Sequence, residues 1–80
     1  MKYNILIVED HELTRFGLKT TFEGVEYVNT LFESKSAEDA YIIVKEHKID
    51  LVIMDLGLPE IDGISATKYI KKLNPDVKIV

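Results

Sequence analysis

The sequence has no cysteine among its 80 residues, which rules out both a disulfide scaffold and a thiolate zinc site. Two prolines and four glycines are too few for a collagen-like or linker-rich chain, and there is no internal repeat or low-complexity tract. Positive charge is in the minority: 10 Lys and Arg face 14 Asp and Glu, a net charge of −4, and no basic run offsets it locally. That balance argues against direct nucleic-acid binding by these residues. No apolar run approaches the roughly 18 residues that a membrane span requires. The opening stretch is apolar only from Ile5 to Val8 before it meets Glu9 and Asp10, unlike a secretory leader. A cytoplasmic protein without a membrane partner is the expectation.

What is present is the composition of one small folded domain, 46% hydrophobic and 30% charged. A chain this short buries only about 60% of its unfolded surface, so its core is marginal. Ile5–Val8 and Leu51–Met54 are continuous aliphatic runs of the kind that forms strands covered on both faces of a parallel sheet. Glu26–Glu33 alternates only in part, as an edge strand does, and Val77–Val80 reads as a fourth strand in which the sequence ends. Three helical patterns lie between. The first spans Glu12–Phe22, with Leu13, Phe16 and Thr20 on its apolar face and Gly24 as its stop. The second opens with a Ser36–Asp39 capping signal and carries Ala40, Ile43, Val44 and His47. The third carries Ala66, Tyr69, Ile70 and Leu73 and is closed by Asn74-Pro75. The order β-α-β-α-β-α-β predicts an α/β fold, a doubly wound parallel sheet with right-handed crossovers and helices on both faces.

Ligands of such sheets bind beyond the carboxyl ends of the strands, so the residues at those ends are the ones to read. The first strand runs into Glu9-Asp10 and the third into Asp55. If these strands are neighbours, three carboxylates meet at one rim. Their mutual repulsion is relieved most simply by a hard divalent cation with oxygen ligands, Mg²⁺ above all. A cation so placed would also bridge to a phosphoryl oxygen, leaving an aspartate to attack phosphorus. Taken singly, each acid has an ordinary explanation: Glu9, Asp10 and Glu12 suit a helix N-terminus, and Asp55 a loop start. Other phosphate chemistries are absent. There is no G-x-x-x-x-G-K-[ST] loop and no glycine-rich turn after the first strand, and Gly57 stands where a haloacid dehalogenase-type phosphatase needs its second acid. His11, beside the acid pair, reads as a surface residue, and His47 as a helix-end residue. Lys68 and Lys78 read as solvated, and the four tyrosines as packing or rim residues.

Ile5-Leu6-Ile7-Val8-Glu9-Asp10-His11, Leu51-Val52-Ile53-Met54-Asp55-Leu56-Gly57-Leu58-Pro59 and Asp62-Gly63 together resemble a response-regulator receiver domain of two-component signalling. Glu9-Asp10-His11-Glu12-Leu13, followed by Arg15 and Gly17-Leu18, is similar to the subfamily whose regulators carry a LuxR-type DNA-binding domain. The resemblance implies a flavodoxin-like fold with strand order 2-1-3-4-5. It implies Asp55 as the phosphoacceptor, Asp10 as a direct Mg²⁺ ligand and Glu9 as a ligand through water, with the carbonyl of Gly57 completing the set. Pro59, Asp62 and Gly63 would shape the loop beneath. It further implies a sensor histidine kinase as partner and a self-catalysed phosphoacceptor rather than an enzyme.

The 80 residues correspond to the N-terminal part of such a domain, lacking the fifth strand, the last helices and any output domain. The family's Thr/Ser after strand four and Lys after strand five fall outside them, so impaired phosphotransfer is expected. An uncovered fourth strand and an uncovered sheet face, exposing Ile5–Val8, predict a homo-oligomer formed through the sheet edge. The other reading of the chain is a non-catalytic half-domain that serves as a folding or assembly unit.

Overall fold

The computed structural model describes residues 2–55 and 63–80. Its elements are β1 (Tyr3–Val8), α1 (Glu12–Phe22), β2 (Val28–Ser34), α2 (Ala37–Glu46), β3 (Leu51–Met54), α3 (Gly63–Leu73) and β4 (Lys78–Ile79). All four strands are parallel, in the order β2-β1-β3-β4. The first connection steps one way along the sheet and the later ones step the other way. Right-handed crossovers therefore put α1 on one face and α2 with α3 on the opposite one. The order matches the first four strands of the 2-1-3-4-5 arrangement that the sequence resemblance implies.

Strand β1 lies at the centre, and its four aliphatic residues Ile5–Val8 are buried on both faces. Leu6 and Val8 join Ala37, Ala40, Val44, Val52, Met54, Ala66, Ile70 and Val77 in the core beneath α2 and α3. The expected exposure of Ile5–Val8 is thus not found. Their strand is flanked by β2 and β3, and α1 packs over β1 and β2. The half-exposed apolar residues on the α1 side belong to β3 instead, at Leu51 and Ile53.

The predicted apolar face of α1 is also corrected. Leu13 and Phe16 are exposed at 83% and 64%, and the inward stripe is Arg15, Leu18, Lys19 and Phe22. At 3.6 residues per turn these two stripes lie on nearly opposite sides of the helix, and each carries one leucine and one phenylalanine. Polar partners decide between them. Arg15 donates to the Glu9 carbonyl and pairs with Glu33, contacts that only the inward face can reach.

The ends of the helices follow the local chemistry. Gly24, at φ 81°, takes the left-handed conformation that releases the chain from α1. Ser36 caps α2 by accepting the Asp39 N–H at 3.2 Å. The Asn74 side chain, just past α3, donates to the Ile49 carbonyl and accepts the Asp76 N–H, setting the turn into β4.

Candidate metal and phosphoacceptor site

The parallel pairing continues one residue beyond the assigned strands. Val8 and Met54 are register partners. Beyond them the Asp55 N–H donates to the Val8 carbonyl and the Glu9 N–H to the Ser34 carbonyl, both at 3.0 Å. Glu9 and Asp55 are therefore brought to the same rim by backbone pairing, and Asp10 follows at the entry to α1. One ligand atom from each of Glu9, Asp10, His11 and Asp55 lies within 4.8 Å of the others. Gly57, Pro59 and Asp62 lie outside the described residues. Gly63 is buried at the first position of α3.

Burial is graded across the cluster. The Glu9 side chain is only 10% exposed, Asp10 28% and His11 73%. The Glu9 carboxylate accepts the backbone N–H of His11 at 3.0 Å and meets the His11 ring through the same oxygen, also at 3.0 Å. Asp10 Oδ1 is 3.3 Å from His11 Nδ1, yet this buried oxygen receives no hydrogen bond among the described residues. The hydrogen bond to Glu9 raises the His11 pKa above its ordinary value, with the charges of Asp10 and Glu9 acting in the same direction.

This donor set fits a hard divalent cation. Three carboxylates offer the oxygen ligands that Mg²⁺ takes, and a buried carboxylate oxygen without a donor is costly unless a cation supplies the missing partner. A phosphoryl group carried to the same rim would meet Asp55 flanked by that charge. His11 is exposed, as expected of a surface residue, but its ring leans over both neighbouring acids, a role the sequence pattern does not carry. Arg15 enters the sequence pattern only through the subfamily resemblance; its spacing to Leu18 and Phe22 is the same as that of Leu13 to Phe16 and Thr20, so spacing alone does not turn it inward.

A family model described as the response regulator receiver domain matches residues 5–80. The response regulator UvrY of Escherichia coli strain K12 is 36% identical over 77 residues, an overlap covering 96% of this chain and 35% of UvrY. The chain thus spans about a third of that relative's length. A LuxR-family two-component response regulator from Aurantimonas sp. SI85-9A1 superposes with a TM-score of 0.88 at 32% identity, covering 99% of this chain and 56% of the other. The isolated receiver domain of RcsB from Salmonella enterica serovar Typhimurium, solved with the phosphomimetic BeF3⁻, gives a TM-score of 0.89 at 29% identity. It is matched over 99% of this chain and 59% of its own.

Proposed function

This chain belongs to the response regulator receiver domain family, and on that premise we propose that Asp55 accepts a phosphoryl group in a Mg²⁺-dependent reaction. Glu9, Asp10 and Asp55 would hold the cation, and the carbonyl of Gly57 is the further ligand the family resemblance implies. The observation that carries this reading is the meeting of three carboxylates from two neighbouring strand ends, with one buried oxygen of Asp10 lacking a donor among the described residues.

In the reaction, a carboxylate oxygen of Asp55 donates an electron pair to phosphorus. The phosphorus–nitrogen bond of a phosphohistidine breaks, its electron pair stays with the imidazole, and the product on Asp55 is an acyl phosphate. The donor is a sensor histidine kinase. With a small-molecule donor such as acetyl phosphate, a phosphorus–oxygen bond breaks and acetate departs with the pair. Glu9 and Asp10 would hold a Mg²⁺ ion at the rim, which would supply positive charge for a phosphoryl anion approaching three acids, and Asp55 is presented by its backbone bond to Val8. The chain acts as a self-catalysed acceptor, in the cytoplasm, and makes no direct contact with nucleic acid.

Intact-mass measurement after incubation with acetyl phosphate tests the main reading. One phosphoryl group is gained with Mg²⁺, and none after chelation or in Asp55→Asn. Incorporation that survives Asp55→Asn or is indifferent to chelation overturns it.

A further inference from the structure

Arg15 is the buried cation of this domain among the described residues, 8% exposed in a chain whose lysines sit at or near the surface. A guanidinium removed from water is tolerated only where its donors are matched. Here Nη1 donates to the Glu9 carbonyl at 2.9 Å, and Nε lies 3.4 Å from Oε1 of Glu33 on β2. Lys19, one turn along α1, reaches the other oxygen of Glu33 at 3.6 Å. Glu33 is thus held from two points on α1, and Arg15 is held between β2 and the end of β1.

The Glu9 carbonyl belongs to the same planar peptide unit as the Asp10 N–H. Fixing that carbonyl fixes the direction in which the chain enters Asp10. Three further groups of the turn are fastened: Glu9 N–H to the Ser34 carbonyl, His11 N–H to the Glu9 carboxylate, and Arg15 N–H to the His11 carbonyl. The side chain of Arg15 is the one tie in this set that reaches the Glu9–Asp10 peptide from outside the turn's own backbone.

We infer that Arg15 is a positioning residue for the cation-binding acids, acting through the Glu9–Asp10 peptide and itself oriented by Glu33. This rests on the reading of Glu9, Asp10 and Asp55 as the Mg²⁺ site. Two effects of Arg15 oppose each other. Its positive charge lowers the local negative potential and disfavours a second cation, whereas its hydrogen bond holds Asp10 where a cation can use it. The charge is paired with Glu33, so the positional effect dominates. Lysine keeps the charge but lacks the planar fork that spans two acceptors in fixed directions.

The test is a Mg²⁺ titration followed through the Asp10 and Asp55 amide resonances, with thermal melting of each metal-free variant alongside. Loss of a supporting partner of metal ligands weakens affinity by about tenfold or more, the change expected for Arg15→Ala. Arg15→Lys weakens it by about threefold, and Glu33→Gln, which frees the fork while keeping the charge on Arg15, by a similar amount. Should Arg15→Ala fail to fold, Arg15→Lys and Glu33→Gln carry the decision. Unchanged affinity in the folded variants, with only the melting temperature lowered, makes Arg15 a packing residue and overturns the inference. Tighter binding in Arg15→Ala overturns it as well, because charge then outweighs position. A wild-type chain that shows no Mg²⁺ response overturns the site assignment itself and is seen before any variant is made.

Discussion

The two faces of the sheet are closed in different ways. Under α2 and α3, alanines at 37, 40 and 66 let the helices settle close to Leu6, Val8, Val52 and Met54, and Ile70 and Val77 complete a layer of apolar side chains. Under α1 the cover is a single helix whose most buried side chain is an arginine, with Leu18 and Phe22 only half-buried beside it. Leu13 and Phe16 point away into solvent. The first face holds the fold together through packing. The second gives up part of that packing to hold a polar tie to the turn that carries Glu9 and Asp10.

This contrast can be broken most forcefully on the apolar face. Ile70→Ala leaves a cavity in the layer and costs about 2–5 kcal/mol, read by urea unfolding. In a domain this small that loss approaches complete unfolding, so a cooperative melt retained near the wild-type midpoint would refute the apolar face as the main support. Ser36→Ala removes the α2 cap and costs about 1 kcal/mol by the same measurement. On the other face, Phe16→Ser changes stability by no more than about 0.5 kcal/mol, because its ring is already exposed. A large loss there would mean that the Leu13–Phe16 stripe, and not Arg15, faces the sheet.

The smallest effect is electrostatic. The folded-state pKa of His11 lies above the ordinary 6.5, first through its hydrogen bond to Glu9 and then through the Asp10 charge. The protonated ring is the form that folding favours. Its contribution to stability is complete below the ordinary value and is lost as pH rises through the raised one. NMR titration of the His11 ring should show a raised midpoint that falls towards the ordinary value in Glu9→Gln. A midpoint unmoved by that substitution would separate His11 from Glu9.

Much of this architecture is legible in the residues. Ile5–Val8 and Leu51–Met54 are too short and too uniformly apolar for amphipathic helices, and acids follow both, so parallel neighbours with a charged rim follow from pattern alone. The facing of α1 is not legible by hydrophobicity. Leu13 with Phe16 and Leu18 with Phe22 compete equally, and the choice is made by Arg15, whose partners Glu9 and Glu33 are distant in sequence. The α2 cap is legible in half. Ser36 takes the Asp39 N–H as its spacing suggests, but the Ser36 N–H is received by Ser34 Oγ at 3.3 Å, so the return bond of a capping box is replaced from the preceding strand. The position of His11 depends on how its ring turns over the acids, which no periodicity encodes.

Phosphotransfer to Asp55 as proposed requires one cation shared by Glu9, Asp10 and Asp55. Substoichiometric Mn²⁺ added to the isotopically labelled chain reads this most directly, since its unpaired electrons broaden the amide resonances of nearby residues. Selective broadening is expected at residues 9–11 and 54–55, reversed by excess Mg²⁺. Broadening centred instead on other acids, such as Glu38 and Asp39 at the start of α2, or spread evenly over the surface, would contradict it.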